Sequence, residues 1–198
     1  MVARIAPNAS VSEVAILAEN TTIWDFSKVR ENAIIGENTI IGSFVYIDAN
    51  VRIGANCKVQ NSAMIFDPAN IHDGVFIGPG VIISNDKNPR AINQNGSLKG
   101  GSDWEKCGVE VFEGASIGAG SICVAPIKIG KWALVGAGST VVSDVKNFAL
   151  VIGTPARQVG WVGKAGFKLN KIGDELFECP KSSQKYKILN SELIEIKG

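Results

Sequence analysis

Residues 29–59 read VRENAIIGENTIIGSFVYIDANVRIGANCKV, and a branched aliphatic returns at every sixth position: Val29, Ile35, Ile41, Ile47, Ile53 and Val59. Four residues after the first five stand Ala33, Thr39, Val45, Val51 and Cys57, all small or β-branched. The register extends in both directions without a miss, from Ile5 to Ile83, giving fourteen hexads over residues 5–88. A period of six suits neither a 3.6-residue helix nor a simple strand alternation. It suits a parallel β-helix in which each hexad is one short strand and one corner.

The corners agree with the interior. Three residues after the aliphatics stand Asn8, Asn20, Asn32, Asn38, Asn50 and Asn56, then Gly74 and Gly80. Sharp corners need left-handed or bridge dihedrals, which glycine takes freely and asparagine more cheaply than most residues. The pattern resumes over residues 111–146 with Val111, Ile117, Cys123, Ile129, Val135 and Val141, and with glycines at 114, 120 and 138. Three hexads per coil make eighteen residues per turn, so twenty hexads predict an all-β prism of about seven coils. At roughly 4.8 Å per stacked strand it would stand about 30 Å tall.

Between the two runs, residues 89–110 break the period and are rich in Gly, Ser and Asn. A long non-repeating insertion in a solenoid is usually functional. Residues 1–163 therefore read as one β-helix domain with a loop insertion. Residues 164–198, Lys-rich with short apolar runs, read as a small strand-containing C-terminal cap that covers the open end.

Composition narrows the function classes. The net charge of +1 comes without a basic or acidic run, which speaks against a nucleic-acid or membrane-surface partner. No apolar stretch is long enough for a transmembrane helix. The repeat begins at Ile5, leaving no room for a signal peptide. Cys57, Cys107, Cys123 and Cys179 are singly placed, without zinc spacing, and read as free thiols of a reducing cytoplasm. One histidine, His72, cannot supply the roughly three imidazoles of a carbonic-anhydrase-like zinc site, so no metal is expected. Scattered threonines and the interrupting loop argue against an ice-binding or scaffold solenoid.

The stretch IGAGSICVAPIKIGKWALVGAGSTVV at 117–142 resembles the signature of hexapeptide-repeat acyltransferases. With SNDKNPRA at 84–91 and GTPARQVGWVGKAG at 153–166, it resembles the narrower group of N-acetyltransferases acting on the 3-amino group of nucleotide-linked sugars. The resemblance spans about residues 40–166. It implies a left-handed β-helix, a homotrimer with active sites between subunits, acetyl-CoA as donor, and a cytoplasmic role in lipopolysaccharide or other surface polysaccharide synthesis. Most of the wider superfamily uses a catalytic histidine. The amino-sugar group centres instead on the asparagine of the N-D-x-x-P-R-A stretch, here Asn85. Direct attack by the sugar amine then becomes plausible, because a hexose amine is far less basic than lysine at about 10.4. The protein's task would be orientation and carbonyl polarisation.

Asn85 is two positions after Ile83, out of register for a corner, and its hexad is the one whose inner position breaks to Lys87. Asp67 lies eighteen residues earlier, so the two should stack as an outward carboxylate beside an outward carboxamide. Asp86, Arg90 and Trp104 are further candidates for substrate contact, the last by stacking on a nucleotide base. His72 is a candidate base, weighed against a surface or interface histidine. For the cofactor, Ala137 and Gly138 offer exposed backbone to pantetheine, while Lys131, Lys146 and Arg157 are cations for the CoA phosphates. Pro155, after Thr154, is a candidate cis proline. A uronate substrate would need a cation for its carboxylate, and the five arginines offer few spare ones. That favours a dTDP-3-amino-3,6-dideoxyhexose over a UDP-3-amino-uronate. An O-acetyltransferase or 4-amino-sugar enzyme with His72 as base is the remaining alternative.

Overall fold

The structure, a computed structural model, describes residues 2–196. Each hexad forms a strand of two or three residues, because the chain turns a corner before it can extend further. Twenty such strands run from Arg4–Ile5 to Thr140–Val141 among the described residues. The aliphatic is the strand's inward residue, and Ile35, Ile41, Ile47 and Ile65 are fully buried. Each strand pairs in parallel with the one a coil later, Ile23 with Ile41, Val29 with Ile47 and Ile35 with Ile53. Three faces result, beginning at Arg4–Ile5, Ser10–Val11 and Ile16–Leu17. This is the all-β, left-handed parallel β-helix that the hexads and the resemblance lead one to expect.

Polar residues at inner positions find partners within the stack. The hydroxyls of Ser27, Thr39 and Ser121 donate to the carbonyls of Gly42, Gly54 and Gly136 at 2.6, 2.8 and 3.0 Å. These bonds offset the cost of burying the hydroxyls. Asn20, Asn32, Asn38, Asn50 and Asn56 take left-handed dihedrals as expected, and so do Gly74 and Gly80; Asn8, in the exposed first coil, does not.

Four aromatic corners were not legible beforehand: Phe26, Phe44, Trp132 and Phe148 also have φ between 57 and 61°. A bulky residue there costs about 1–2 kcal/mol, which stacking helps to offset. Phe26 lies on Phe44 with centroids 5.0 Å apart, and Phe148 meets Tyr186 edge-on at 5.5 Å. Trp132 covers Gly114, where an added Cβ would fall 2.6 Å from the indole.

The solenoid is longer than expected. Its first face carries eight parallel strands, ending at Ala149–Gly153, so there are about eight turns rather than seven. The period slips in the last turn: Ile129 pairs with Val145 and Val135 with Val151, sixteen residues on rather than eighteen. The two missing residues fall at the corner between the second and third faces, which hides the final coil from a six-residue count. The insertion leaves from the same corner. Ile71 pairs with Val111 and Ile83 with Cys123, forty residues apart, so 22 residues are added there. Within the insertion, Ile92 and Leu98 form an isolated bridge, and pairing with the solenoid resumes at Val109–Val111.

After the last coil, Ala156–Trp161 folds back antiparallel on Ala149–Gly153. A four-stranded antiparallel sheet follows, from Asn170–Lys171 to Glu192–Glu195. Its core of Leu169, Cys179, Tyr186 and Leu193 packs on Phe148 and Trp161 of the solenoid end. Among the described residues no helix is long and apolar enough to cross a membrane.

Candidate functional site

The corner between the second and third faces carries a ladder of polar groups down to the insertion. At its top, Arg30 Nη1 lies 3.3 Å from Asp48 Oδ1, and the Tyr46 hydroxyl donates to the same oxygen at 3.0 Å. The Asp67 backbone N–H donates to Asp48 Oδ2 at 3.3 Å. One coil further, Asn85 Nδ2 donates to the Asp67 carbonyl oxygen at 2.9 Å. The eighteen-residue spacing thus does stack the two residues.

The contact is not the expected one. The Asp67 side chain is buried rather than outward, and its Oδ2 is 2.6 Å from Lys106 Nζ. A carboxylate withdrawn into the corner needs a counter-ion, and the insertion brings one from 39 residues away in sequence. What Asp67 offers Asn85 is its carbonyl. Lys106 was missed because nothing local in the sequence pairs it with Asp67. Next to it, the Cys107 thiol reaches the Asn85 carbonyl oxygen at 3.3 Å.

Asn85, Asp86, Arg90 and Trp104 come together around a cavity of about 370 Å³, together with Lys99, Gly100 and Gly101. A second cavity of about 310 Å³ adjoins it and shares Asp86, Lys99 and Trp104. Among the described residues Arg90 donates only to the neighbouring Pro89 carbonyl, at 2.8 Å, and Asp86 accepts from the Asn88 N–H at 2.8 Å. The Gly100 N–H, then Asn93, hold the Asp103 carboxyl below its ordinary range. Lys99 is a functional candidate that sequence reasoning passed over, because it sits between glycines in a stretch without periodicity.

His72 lines neither cavity. It follows Asn70–Ile71 on the third face, half-buried and stacked on Phe112 at 4.9 Å. Its Nε2 is 3.2 Å from Glu110 Oε1 and 3.3 Å from Asn70 Nδ2. The protonated nitrogen can donate to the carboxylate and the bare one can accept from the amide, so either form is held.

The residues expected at the cofactor fall into two groups. Gly80, Gly120 and Gly138 stack at the corner between the first and second faces, all left-handed, with nothing within 4 Å of where a Cβ would stand. Ala137 adjoins this bare strip, and the Thr154 hydroxyl lies 3.5 Å from the Gly138 carbonyl, which brings Pro155 alongside. Thr154–Pro155 is cis, as are Asp67–Pro68 and Ala125–Pro126. The cations lie elsewhere. Lys146 and Arg157 share a cavity of about 450 Å³ beneath the last coil. Lys131 and Lys146 share one of about 530 Å³ that also includes Glu192 of the terminal sheet. Lys131 is 3.4 Å from Glu113, and Lys146 donates to the Ser191 carbonyl at 3.0 Å.

Residues 15–49 and 32–67 match the repeat described as bacterial transferase hexapeptide (six repeats). The matched repeats are the upper coils; they include Asp48 and Asp67 of the polar ladder but neither Asn85 nor the insertion. Over 85 residues the chain is 42% identical to a dTDP-3-amino-3,6-dideoxy-alpha-D-galactopyranose 3-N-acetyltransferase of Aneurinibacillus thermoaerophilus, covering 42% of this chain and 44% of that one. Over 88 residues it is 34% identical to the serine acetyltransferase of Escherichia coli K12, covering 44% and 31%. The chain thus spans less than half the length of either relative. Among solved structures, WeeI from Acinetobacter baumannii AYE has a TM-score of 0.53 at 22% identity, over 77% of this chain and 56% of that one; the likeness is one of fold.

Proposed function

We propose that this chain is an acetyl-CoA-dependent N-acetyltransferase acting on the 3-amino group of a nucleotide-linked sugar, with dTDP-3-amino-3,6-dideoxyhexose as the preferred acceptor. The single observation that carries it is the bond from Asn85 Nδ2 to the Asp67 carbonyl. An amide tied by its nitrogen presents its oxygen, and an oxygen at the edge of the cavity with Arg90 and Trp104 suits the N–H of an amine. The identity with the Aneurinibacillus 3-N-acetyltransferase supports the same acceptor.

In this mechanism Asn85 Oδ1 holds one N–H of the neutral amine so that the nitrogen lone pair faces the thioester. The C–N bond forms, the C–S bond breaks, and the proton lost by nitrogen ends on the departing CoA sulfur. The protein contributes orientation more than proton transfer. Arg90 is free to meet a phosphate, and Trp104 offers a face to the base. The bare strip of Gly80, Gly120 and Gly138 has room for an extended pantetheine chain, with Ala137 and Pro155 at its side. Lys131, Lys146 and Arg157 are the candidates for the CoA phosphates. The active assembly is a cytoplasmic homotrimer, and its product serves surface polysaccharide synthesis.

A second reading, a UDP-3-amino-uronate acceptor, is favoured by Lys99, a cation lining the Asn85 cavity in addition to Arg90. A third, with His72 as base toward a hydroxyl or a 4-amino group, is favoured by the Glu110 carboxylate that orients its imidazole. Purified protein assayed with acetyl-CoA against dTDP- and UDP-linked 3- and 4-amino sugars separates the three. Thiol release and product mass should show fastest transfer to the dTDP-3-amino sugar. Transfer to hydroxyls alone, or to none of the panel, overturns the proposal.

A further inference from the structure

Two carboxylates crowd the corner above Asn85. Asp48 is met by Arg30, by the Tyr46 hydroxyl and by the Ala49 N–H. Asp67, whose N–H leans on Asp48, has Lys106 as the cation at its carboxylate, at 2.6 Å. The two side chains differ in exposure, 54% for Lys106 against 13% for Asp67. The lysine therefore reaches from solvent to a carboxylate that is mostly, but not wholly, covered. Lys106 also stands at the exit of the insertion, beside Cys107, whose thiol touches the Asn85 carbonyl. One dipeptide of the insertion thus contacts both stacked residues.

We propose that Lys106 is a positioning residue of the acetyl transfer, acting through Asp67. It has two effects, and both rest on the acceptor reading above. First, it fixes the Asp67 corner whose carbonyl aims the Asn85 carboxamide. Second, it occupies the Asp67 carboxylate so that this group does not bind the incoming amine as an ammonium. An ammonium has no lone pair and cannot attack a thioester. With Lys106 removed, the substrate's own ammonium is the cation nearest at hand for the vacant carboxylate. An opposite charge at such range raises an amine's pKa by about one unit or more, which lowers the reactive neutral fraction by about tenfold for each unit.

The charged and titratable groups facing Asp67 are Asp48, with Arg30 and Tyr46 behind it, Lys106 from the insertion, and Cys107 beyond Asn85. Only Lys106 and Asp67 are changed in the test. The variants are Lys106→Met, Lys106→Arg, Asp67→Asn and the pair Asp67→Asn/Lys106→Met, read by kcat and KM for both substrates, the pH dependence of kcat, and circular dichroism as the folding control. Lys106→Met should lower kcat tenfold or more, leave the acetyl-CoA KM in place and move the acid limb of kcat upward by about one pH unit. Lys106→Arg should stay within a few-fold of wild type. Adding Asp67→Asn to Lys106→Met should recover most of the lost kcat, because an amide needs no counter-ion. If Lys106→Met does not fold, Lys106→Gln carries the same comparison. An active wild type whose double variant is no better than Lys106→Met, or an effect confined to acetyl-CoA KM or to melting temperature, overturns the positioning role alone. A wild type inactive toward every amino sugar rejects the acceptor reading first and the positioning role with it.

Discussion

Asn85 Nδ2 donates to the Asp67 carbonyl oxygen at 2.9 Å, across one coil of the solenoid, and Asn85 lines the neighbouring cavity. Losing one hydrogen bond to a reacting group costs about 1–3 kcal/mol. Asn85→Ala should therefore lower kcat/KM for the amino sugar by about tenfold to more than a hundredfold, with acetyl-CoA KM unchanged. Asn85→Asp should be worse, since it sets a carboxylate against the Asp67 carbonyl and offers the amine an anion. Steady-state kinetics with each substrate varied in turn checks both; an Asn85→Ala effect confined to acetyl-CoA would move the acceptor away from this residue.

His72 gives a second test. Its imidazole is already engaged by Glu110 and Phe112, away from the cavities beside Asn85. If the amine attacks without a protein base, His72→Ala should reduce kcat by less than the roughly hundredfold typical of losing one. A larger loss with acetyl-CoA binding intact would favour the histidine-driven alternative.

The cysteines predict a pattern of reactivity. Cys57, Cys123 and Cys179 are buried and Cys107 is half-exposed, all four without a disulfide. Iodoacetamide at pH 8 should label Cys107 alone until denaturant is added, as peptide mass mapping would show. Burial pushes the Cys123 thiol up to about 12 from an ordinary 9.0. Because the folded value is the raised one, this contribution to stability is complete below pH 9 and lost as pH rises toward 12. Stability should therefore fall progressively as pH rises above 9. Urea midpoints of wild type and Cys123→Ala between pH 8 and 10.5 should differ in slope accordingly.

Two corner glycines should behave differently. A Cβ on Gly114 would sit 2.6 Å from the Trp132 ring at φ +68°, so Gly114→Ala combines a clash with dihedral strain and should cost about 2 kcal/mol or more. Gly138 has the same φ but open space around it, so Gly138→Ala should cost only about 1 kcal/mol. If pantetheine runs along that corner, Gly138→Ala should in addition raise the acetyl-CoA KM. Thermal melts and acetyl-CoA titrations distinguish the two variants.

Assembly is tested by size. Light scattering should give about three times the 20.9 kDa chain mass. A fully active monomer would rule out sites built between subunits.

The six-residue period fixed the inward residues, the three faces and the parallel register, because a short strand and a corner are local events that repeat along the chain. It also brought Asn85 under Asp67, since an eighteen-residue coil stacks such residues whatever their side chains do. Where the spacing slipped to sixteen, the last coil went unseen, and Phe26, Phe44, Trp132 and Phe148 defied the corner rule because stacking and covering contacts with neighbours override single-residue preference. Only the tertiary structure decided that the Asp67 carboxylate is covered and paired by Lys106, that its carbonyl takes the Asn85 amide, and that Lys99 joins Arg90 at the same cavity. The first of these contacts runs between the solenoid and a non-repeating insertion, the second between side chain and backbone of adjacent coils, and the third within the insertion. Which charges meet there depends on burial and counter-ion supply across 39 residues of chain rather than on any periodicity that the sequence displays.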